Sequence, residues 1–190
     1  SMFGMEFGQF NTFRTVGMFD LLGKQNKHDA YIATEYIMTD GPVESPQNFK
    51  RLNLMGKYTA ELNGGDRLSV ILSTFESSWD ASGQIPQRAV DSGLITRFGA
   101  IDDTEGGTTG RTNVAVNHNK VLDQNTFVVS NAYFSQYDFE LFSNFTFFLD
   151  DPENGDQIRQ FERRNIYGVN STLHQMLNAG SADLEMKYGA

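Results

Sequence analysis

The 190-residue chain contains no cysteine, which excludes a disulfide framework and a thiolate metal site. No apolar run approaches the roughly 18 residues of a membrane-spanning helix, and no signal-peptide pattern opens the chain. Basic residues are few: 15 Lys and Arg stand against 24 Asp and Glu, which gives a formal net charge of −9. Because binding to nucleic acid requires Lys and Arg to neutralise phosphates, the composition argues against a nucleic-acid partner.

Catalytic and metal-binding motifs are also absent from the sequence. The three histidines, His28, His118 and His174, lie far apart and show no metal-ligand spacing. Two acidic segments, Asp102–Glu105 and Asp150–Asp156, do not match the calcium-loop pattern, and solvated loop charges explain them better. No nucleophile motif, phosphate loop or dinucleotide fingerprint occurs. The sequence therefore predicts neither an enzyme nor a cofactor nor a metal site.

What the chain does have is many aromatic residues, 13% of the total, at a mean hydropathy of only −0.42. The run Thr126–Leu149 contains no Pro, Gly, Lys or Arg, and its odd-numbered residues are mostly aromatic or aliphatic. This alternation predicts a strand of about 79 Å at ~3.3 Å per residue, whereas globular strands span about 17–20 Å. A membrane barrel uses such lengths, because its strands continue beyond the bilayer. Two ordinary strands joined by a corner at Tyr137–Glu140 are the alternative.

Seven further segments have strand character. They are 2–8, 13–21, Ala30–Met38, Phe49–Leu62, Arg67–Trp79, Thr112–Leu122 and Ile158–Leu177. Short connections alternate with long ones along the chain. The short ones are Gly23–Asp29, Asn63–Asp66 and Asp123–Asn125, and the long ones are Thr39–Asn48, Asp80–Arg111 and Asp150–Gln157. Since short turns on one rim and long loops on the other are typical of such barrels, we predict an all-β, antiparallel up-and-down β-barrel segment of about eight strands.

The strand pattern also predicts which residues share a face. The hairpin turned by Asn63–Asp66 has the clearest alternation, and its Asn-Gly and Gly-Gly pairs suit a tight turn. One lipid-facing patch is expected from Leu52, Leu54, Tyr58, Leu62, Leu68, Val70 and Leu72. Interfacial aromatic girdles, or alternatively packed core aromatics, are expected from Trp79, Phe127, Tyr133 and Tyr137.

Several stretches resemble the barrel of bacterial TonB-dependent outer-membrane receptors. They are SWDASGQIP at 78–86, Arg97-Phe98-Gly99, Asp103-Thr104-Glu105-Gly106-Gly107 with Arg111 and Asn113, Ser143–Leu149, and Gly155-Asp156-Gln157. The resemblance covers most of the chain and lies in patterned strands and loops rather than in one catalytic motif. It is specific for the family and says little about the ligand.

This resemblance implies a many-stranded barrel around an N-terminal plug, which imports scarce nutrients such as ferric siderophores or cobalamin. The implied partners are outer-membrane lipid, a small-molecule nutrient ligand, and TonB, which is contacted through the plug. Neither a plug nor a TonB-contacting segment is found, and about eight strands compare with 22 in plugged transporters. We therefore expect residues 3–177 to be part of a barrel wall in the outer membrane of a Gram-negative bacterium, unable to transport alone. Ser1-Met2 is typical of cloning, and residues 178–190 carry no clear pattern.

Ligand recognition is predicted in the segment Asp80–Arg111, because it is the longest stretch without periodicity. Its candidate ligand-binding residues are Gln84, Arg97 and Arg111. The two guanidinium groups offer a planar fork that fits a carboxylate of an anionic ligand. The alternative is that both arginines pair with the acidic residues of Asp102–Glu105 and hold the loop folded.

A second hypothesis of a different class is a soluble, lipocalin-like barrel of eight strands that binds a small ligand. Such a barrel places its apolar side chains inside and its polar side chains outside. Alternation along the sequence does not reveal which side is the inside. A requirement for detergent during extraction would favour the membrane wall, whereas a soluble monomer would favour the lipocalin-like barrel.

Overall fold

The computed structural model describes residues 1–22, 27–153, 155–180 and 182–190. In this part of the chain a single sheet accounts for almost all of the regular structure. Its strands are β1 (Met2–Phe7), β2 (Phe13–Asp20), β3 (His28–Thr39), β4 (Phe49–Glu61), β5 (Arg67–Asp80), β6 (Gly106–Val121), β7 (Thr126–Ser143), β8 (Ile158–Ala179) and β9 (Ala182–Gly189). One 3-10 turn, Asn63–Gly65, joins β4 to β5, and one short helix, α1 (Gln87–Asp91), lies between β5 and β6.

Every strand pairs in antiparallel fashion with the strands before and after it, so the order in the sheet is the order in the chain. The predicted all-β, up-and-down arrangement is confirmed, with nine strands rather than about eight. Within the described residues β1 and β9 each have one neighbour, and the sheet does not close into a barrel. The closed eight-stranded barrel of the second hypothesis is therefore not observed. Residues 182–189, which carry no clear pattern in sequence, form β9.

The predicted strand Thr126–Leu149 is continuous through Tyr137–Glu140, so the alternative of a corner at that point is wrong. The strand nevertheless ends at Ser143, six residues earlier than predicted. The backbone turns there because the Asn144 side chain accepts a hydrogen bond from the Phe147 amide at 2.8 Å, and Phe147 takes a positive φ of 63°. Strand composition alone does not reveal such a local turn.

The predicted long connections lie on one rim of the sheet, the long-loop rim, which holds 40–48, 81–105 and the described residues of 144–157. The opposite rim, the short-turn rim, holds 62–66 and 122–125, so the predicted arrangement is confirmed for these connections. The five-residue connection 8–12 is short and nevertheless lies on the long-loop rim. Of the predicted short connection Gly23–Asp29, residues 23–26 lie outside the described part, and His28 already belongs to β3. In the turn before β5, Gly64 and Gly65 have φ values of 81° and 88°, which suit glycine.

Side chains directly opposite one another on paired strands point to the same face of a sheet. In the β4–β5 hairpin, Leu54 lies opposite Thr74 and Tyr58 opposite Val70. The members of the predicted patch that belong to these strands all fall on this side, which we call the apolar face. The other side, which carries Asn53, we call the polar face. The shared face is confirmed, whereas its contact with lipid stays a prediction.

Candidate functional site

Large apolar side chains cover the apolar face on every strand. One example from each strand, in order, is Phe3, Phe19, Ile32, Leu54, Leu72, Val116, Phe134, Val169 and Met186. Most of these side chains are about half exposed, and Val169 is 80% exposed. In the described residues the buried apolar side chains are only Ala30, Ala60, Ala89 and Phe147. Within the described residues this single-layer sheet has no core on that face, and exposed apolar surfaces of this size are typical of sites that contact a membrane or another protein.

The apolar surface ends at one level on β4 and at another on the next four strands. On β4 the last large residue before the polar zone is Leu52, which lines up through the register with Arg163 on β8. On β5 to β8 the last large residues before the polar zone, which is interrupted by Phe161, are successive partners: Leu72, Val114, Phe134 and Tyr167. The boundary therefore lies four residues nearer the short-turn rim on β5 to β8 than on β4, and the whole shift falls between β4 and β5.

Between this boundary and the long-loop rim, the apolar face becomes polar. Arg163 Nε donates to Asp138 at 2.6 Å, and Arg159 Nε donates to Glu140 at 2.5 Å. These ion pairs join β8 to β7 in the part of the strands that extends beyond the apolar surface. The side of the sheet that carries Leu54 is thus divided into an apolar zone near the short turns and a charged zone near the long loops.

The residues predicted to form aromatic girdles do not lie on the apolar face. Trp79, Phe127, Tyr133 and Tyr137 all belong to the polar face. The register explains this result, because it places the odd-numbered residues of β7 on the face that carries Arg111 and Asn113. Aromatic residues do occur on the apolar face: Tyr58 stacks on His28, and its hydroxyl lies 2.7 Å from His28 Nδ1, near the short-turn rim.

On the polar face, Glu35 is the centre of a network of charged side chains. Its carboxylate accepts hydrogen bonds from Arg14 Nε at 2.7 Å, Arg51 Nη2 at 3.0 Å and Asn53 Nδ2 at 2.8 Å. Arg14 also donates to the exposed Glu6 at 2.7 Å. The Glu35 side chain is 20% exposed, so it is held largely away from water. The sequence does not single out this network, because its members come from four different strands.

A ladder of small polar side chains continues this face toward β8. Asn113 donates to Ser73 at 3.1 Å and accepts from Ser135 at 2.7 Å, so three strands are joined at one level. Nearer the short turns, Asn131 donates to Asn170 at 2.9 Å. A face whose polar groups bond one another across strands is typical of a water-filled or protein-filled interior rather than of a lipid-facing wall.

Above this ladder lies Arg111, beside the ring of Tyr137. Its guanidinium carbon is 5.1 Å from the ring centroid, and that of Arg164 is 5.9 Å from the same ring. A depression of about 430 Å³ on the polar face is lined by Arg111, Phe75 and Glu35, among others. The polar face therefore presents a concave, charged surface at this level.

At the long-loop rim, Asp102 ties the 81–105 loop to the 144–157 loop. Its carboxylate accepts from the Thr104 amide and hydroxyl at 3.0 and 2.6 Å, from Asn144 Nδ2 at 3.0 Å, and from Gln157 Nε2 at 3.3 Å. Burial alone would raise the pKa of Asp102, but these hydrogen bonds outweigh it and hold that pKa below its ordinary value. The two loops thus form one connected structure above the sheet.

Glu105, at the end of the same loop, is only 6% exposed, and its Oε1 has no hydrogen-bond partner in the described part of the chain. Burial raises the pKa of this carboxyl, and the nearby Asp102 carboxylate adds to the shift. A Cβ on Gly83, whose φ is 62°, would lie 2.0 Å from Glu105 Oε1. Gly83 is therefore required for the close approach of backbone and carboxyl.

Asp156 closes the 144–157 loop. The amides of Leu149, Asp150 and Asp151 donate to its carboxylate at 2.7–3.1 Å. The hydrogen bond from the Thr146 side chain, together with these amides, lowers the pKa of Asp156 to about 2. A cleft of about 530 Å³ separates this loop from α1.

The structure separates the three predicted ligand-binding residues. Gln84 and Arg97 are exposed in the 81–105 loop, at the long-loop rim. Arg111 belongs to β6 and not to the loop, and it lies on the polar face about 17 Å along the strand from Gly106. None of the ion pairs in the described residues joins Arg97 or Arg111 to the acidic residues of 102–105. The prediction that all three residues act in one loop is therefore wrong for Arg111.

No group of three or more metal-ligating side chains occurs in the described residues, and none of their helices is long and apolar enough to cross a membrane. Comparisons of the chain with known protein families, with curated proteins and with solved structures found no match. Evidence on function therefore comes from the two faces of the sheet and from its two rims.

Proposed function

We propose that this chain is part of the wall of an outer-membrane, TonB-dependent receptor that imports a scarce nutrient. In this proposal the apolar face contacts lipid and the polar face lines the interior. The long-loop rim is extracellular and recognises the nutrient, and TonB acts through a plug that is not found in this sequence. The piece has no transport activity of its own.

The division of one side of the sheet into an apolar zone near the short turns and a charged zone near the long loops is the observation that supports this proposal most directly. Transmembrane barrels have an outward-facing apolar band, short turns on one side of it and longer extracellular loops on the other. The eleven residues from Leu52 to Leu62, of which all but Leu62 belong to β4, would at the ≈ 35–45° tilt of barrel strands span roughly 26–31 Å along the barrel axis, close to the hydrocarbon thickness.

Two further features agree with a wall. On the polar face, side chains are hydrogen-bonded across strands in separate networks around Glu35 and Asn113, which suits an interior surface. The long loops are joined by Asp102 into a structured rim that exposes Gln84 and Arg97. Binding residues concentrate on loops that a rigid scaffold holds in place, so this rim is the expected place for nutrient recognition.

The contact with lipid can be tested with tryptophan as a depth probe. Trp79 is the only tryptophan, and it lies on the polar face. In a Trp79→Phe background, Leu72→Trp places a probe on the apolar face and Ser73→Trp places one on the polar face. The chain is folded into vesicles whose acyl chains carry bromine, which quenches tryptophan on contact.

We expect strong quenching of the probe at 72 and weak quenching of the probe at 73. Far-UV circular dichroism of both variants serves as the folding control. Equal quenching at the two positions would contradict the proposed orientation. A chain that stays in aqueous buffer as a soluble monomer, without binding vesicles, would contradict the membrane location.

A further inference from the structure

We infer that Arg111 and Arg164, on either side of the Tyr137 ring, form a binding site for carboxylate groups on the polar face. The inference deepens the proposed function and rests on it for location, because the polar face is an interior surface only in a barrel wall. Binding of a carboxylate to this face can be measured without a membrane.

The register creates an alternation of rings and guanidinium groups that the sequence does not reveal. Phe75, Arg111, Tyr137 and Arg164 are successive partners on β5, β6, β7 and β8, at one level of the polar face. Both guanidinium groups lie within 6 Å of the Tyr137 ring. The Tyr137 ring beside the Arg111 guanidinium group restrains it, so this side chain has less freedom to lose on binding.

The charge of Arg111 is not compensated. Its guanidinium group has neither an ion pair nor a hydrogen bond in the described part of the chain, and its side chain is exposed, whereas Arg164 at the same level is paired with Glu162. The carboxylates nearest to it on the same face are already engaged: Glu35 binds two other arginines, and Glu162 binds Arg164 at 3.0 Å. An incoming carboxylate would therefore meet the unpaired guanidinium group of Arg111, without competition from a carboxylate of the chain itself.

The surroundings of Arg111 are shaped to receive a ligand. The depression of about 430 Å³ extends from Arg111 and Asn113 toward Glu35 and Asn53, three strands away. At ~4.8 Å per strand this is about 14 Å, enough for a small organic acid or for the side chain of an acidic polypeptide segment. Arginine binds a planar carboxylate through two parallel N–H donors, which gives the site its preference for carboxylates over halide ions.

The test measures binding to the chain in detergent micelles at low ionic strength, by isothermal titration calorimetry. Citrate is the small-molecule probe and a tetraglutamate peptide is the polypeptide probe, so the two arms distinguish a soluble ligand from an acidic protein segment. The variants are Arg111→Gln, Arg111→Lys and Arg164→Gln. The matched control is Arg67→Gln, which removes an exposed arginine from the same face near the short-turn rim.

We expect at least one probe to bind, and Arg111→Gln to weaken it by about tenfold or more. Arg111→Lys should recover part of that loss, because the charge remains but the fork is lost. Arg67→Gln should have little effect. If circular dichroism shows that Arg111→Gln does not fold, Arg164→Gln takes its place, with a smaller expected loss.

Absence of binding by both probes would overturn the inference, as would an equal loss in Arg67→Gln and Arg111→Gln. Citrate binding that depends on Arg111, combined with equal lipid quenching at positions 72 and 73, would retain the carboxylate site and reject the membrane wall. Carboxylate binding that is absent or independent of Arg111, combined with strong quenching at position 72 and weak quenching at position 73, would retain the membrane wall and reject the carboxylate site.

Discussion

The two faces of the sheet keep their side chains in place by opposite means. On the polar face, Glu35 accepts hydrogen bonds from Arg14, Arg51 and Asn53 on neighbouring strands, whereas Arg51 Nε is buried without a hydrogen-bond partner among the described residues. On the apolar face, large side chains such as Val169 are exposed and have no second layer to pack against. The difference teaches that many side chains of the polar face find partners within the described chain, around Glu35 above all, whereas the large side chains of the apolar face do not. We therefore expect the media on the two sides of the sheet to differ.

The largest expected effect comes from placing a charge on the apolar face. Val116→Arg should cost up to about 2–4 kcal/mol of folding free energy in a bilayer, because the residue lies in the apolar zone between Val70 and Ala132. The neighbouring Asn117→Arg, which places the same side chain on the polar face, should cost far less. Unfolding by urea in vesicles measures both. Similar costs would remove the distinction between the faces.

The next largest effect is expected on the polar face, where Glu35 accepts hydrogen bonds from neighbouring strands. Glu35→Ala leaves two arginines and an amide without their acceptor, and we expect a loss of about 2 kcal/mol, since hydrogen bonds to charged groups contribute roughly 1.5–3. Glu6→Ala removes a carboxylate that is 66% exposed from the same network and should cost at most about 0.5 kcal/mol. Chemical denaturation of both variants in detergent is the measurement. A Glu6 variant as unstable as the Glu35 variant would show that burial does not decide the contribution.

A smaller difference is expected at two glycines on opposite faces. A Cβ on Gly168 would lie 2.7 Å from the Tyr133 ring on the polar face, so Gly168→Ala should displace that half-exposed ring at a cost of about 1 kcal/mol. A Cβ on Gly56, on the apolar face, would meet only a backbone oxygen at 4.0 Å. Gly56→Ala should therefore be neutral or stabilising by about 0.4–1 kcal/mol. The same denaturation measurement checks both, and Tyr133→Ala should remove the cost at Gly168.

The smallest effect is local and lies outside both faces, at Asp156. Its pKa of about 2 is below the ordinary value of 3.8, so its contribution to loop stability is complete above pH 4 and is lost as the pH falls toward 2. Asp156→Asn should mimic this loss at neutral pH, whereas Asp150→Asn, in the same loop, should not. Hydrogen exchange of the amides at 149–151 reports the opening. Protection that survives in Asp156→Asn would contradict this role.

Local sequence signals predict those parts of the fold that depend on neighbouring residues. The Asn63–Asp66 turn and the alternation of Leu52, Leu54 and Tyr58 are both present in the structure. Prediction from the sequence fails where residues that are distant in the chain determine the local structure. Glycines at 106 and 107 suggest a loop, yet they belong to β6, where a Cβ on Gly107 would lie 2.4 Å from the Glu140 backbone oxygen. Arg111 consequently lies on a strand and not in the ligand-binding loop.

The sequence by itself determined that the chain forms long, amphipathic antiparallel strands with alternating short and long connections, because the alternation of side chains and the turn residues act over a few positions. Only the tertiary structure decided which set of alternate residues on one strand shares a face with which set on the neighbouring strand. The aromatic residues Phe127, Tyr133 and Tyr137 joined the polar face because register is set by pairing with β6 and β8. A shift of one residue in that pairing would reverse the faces, and no single strand carries the information that prevents it.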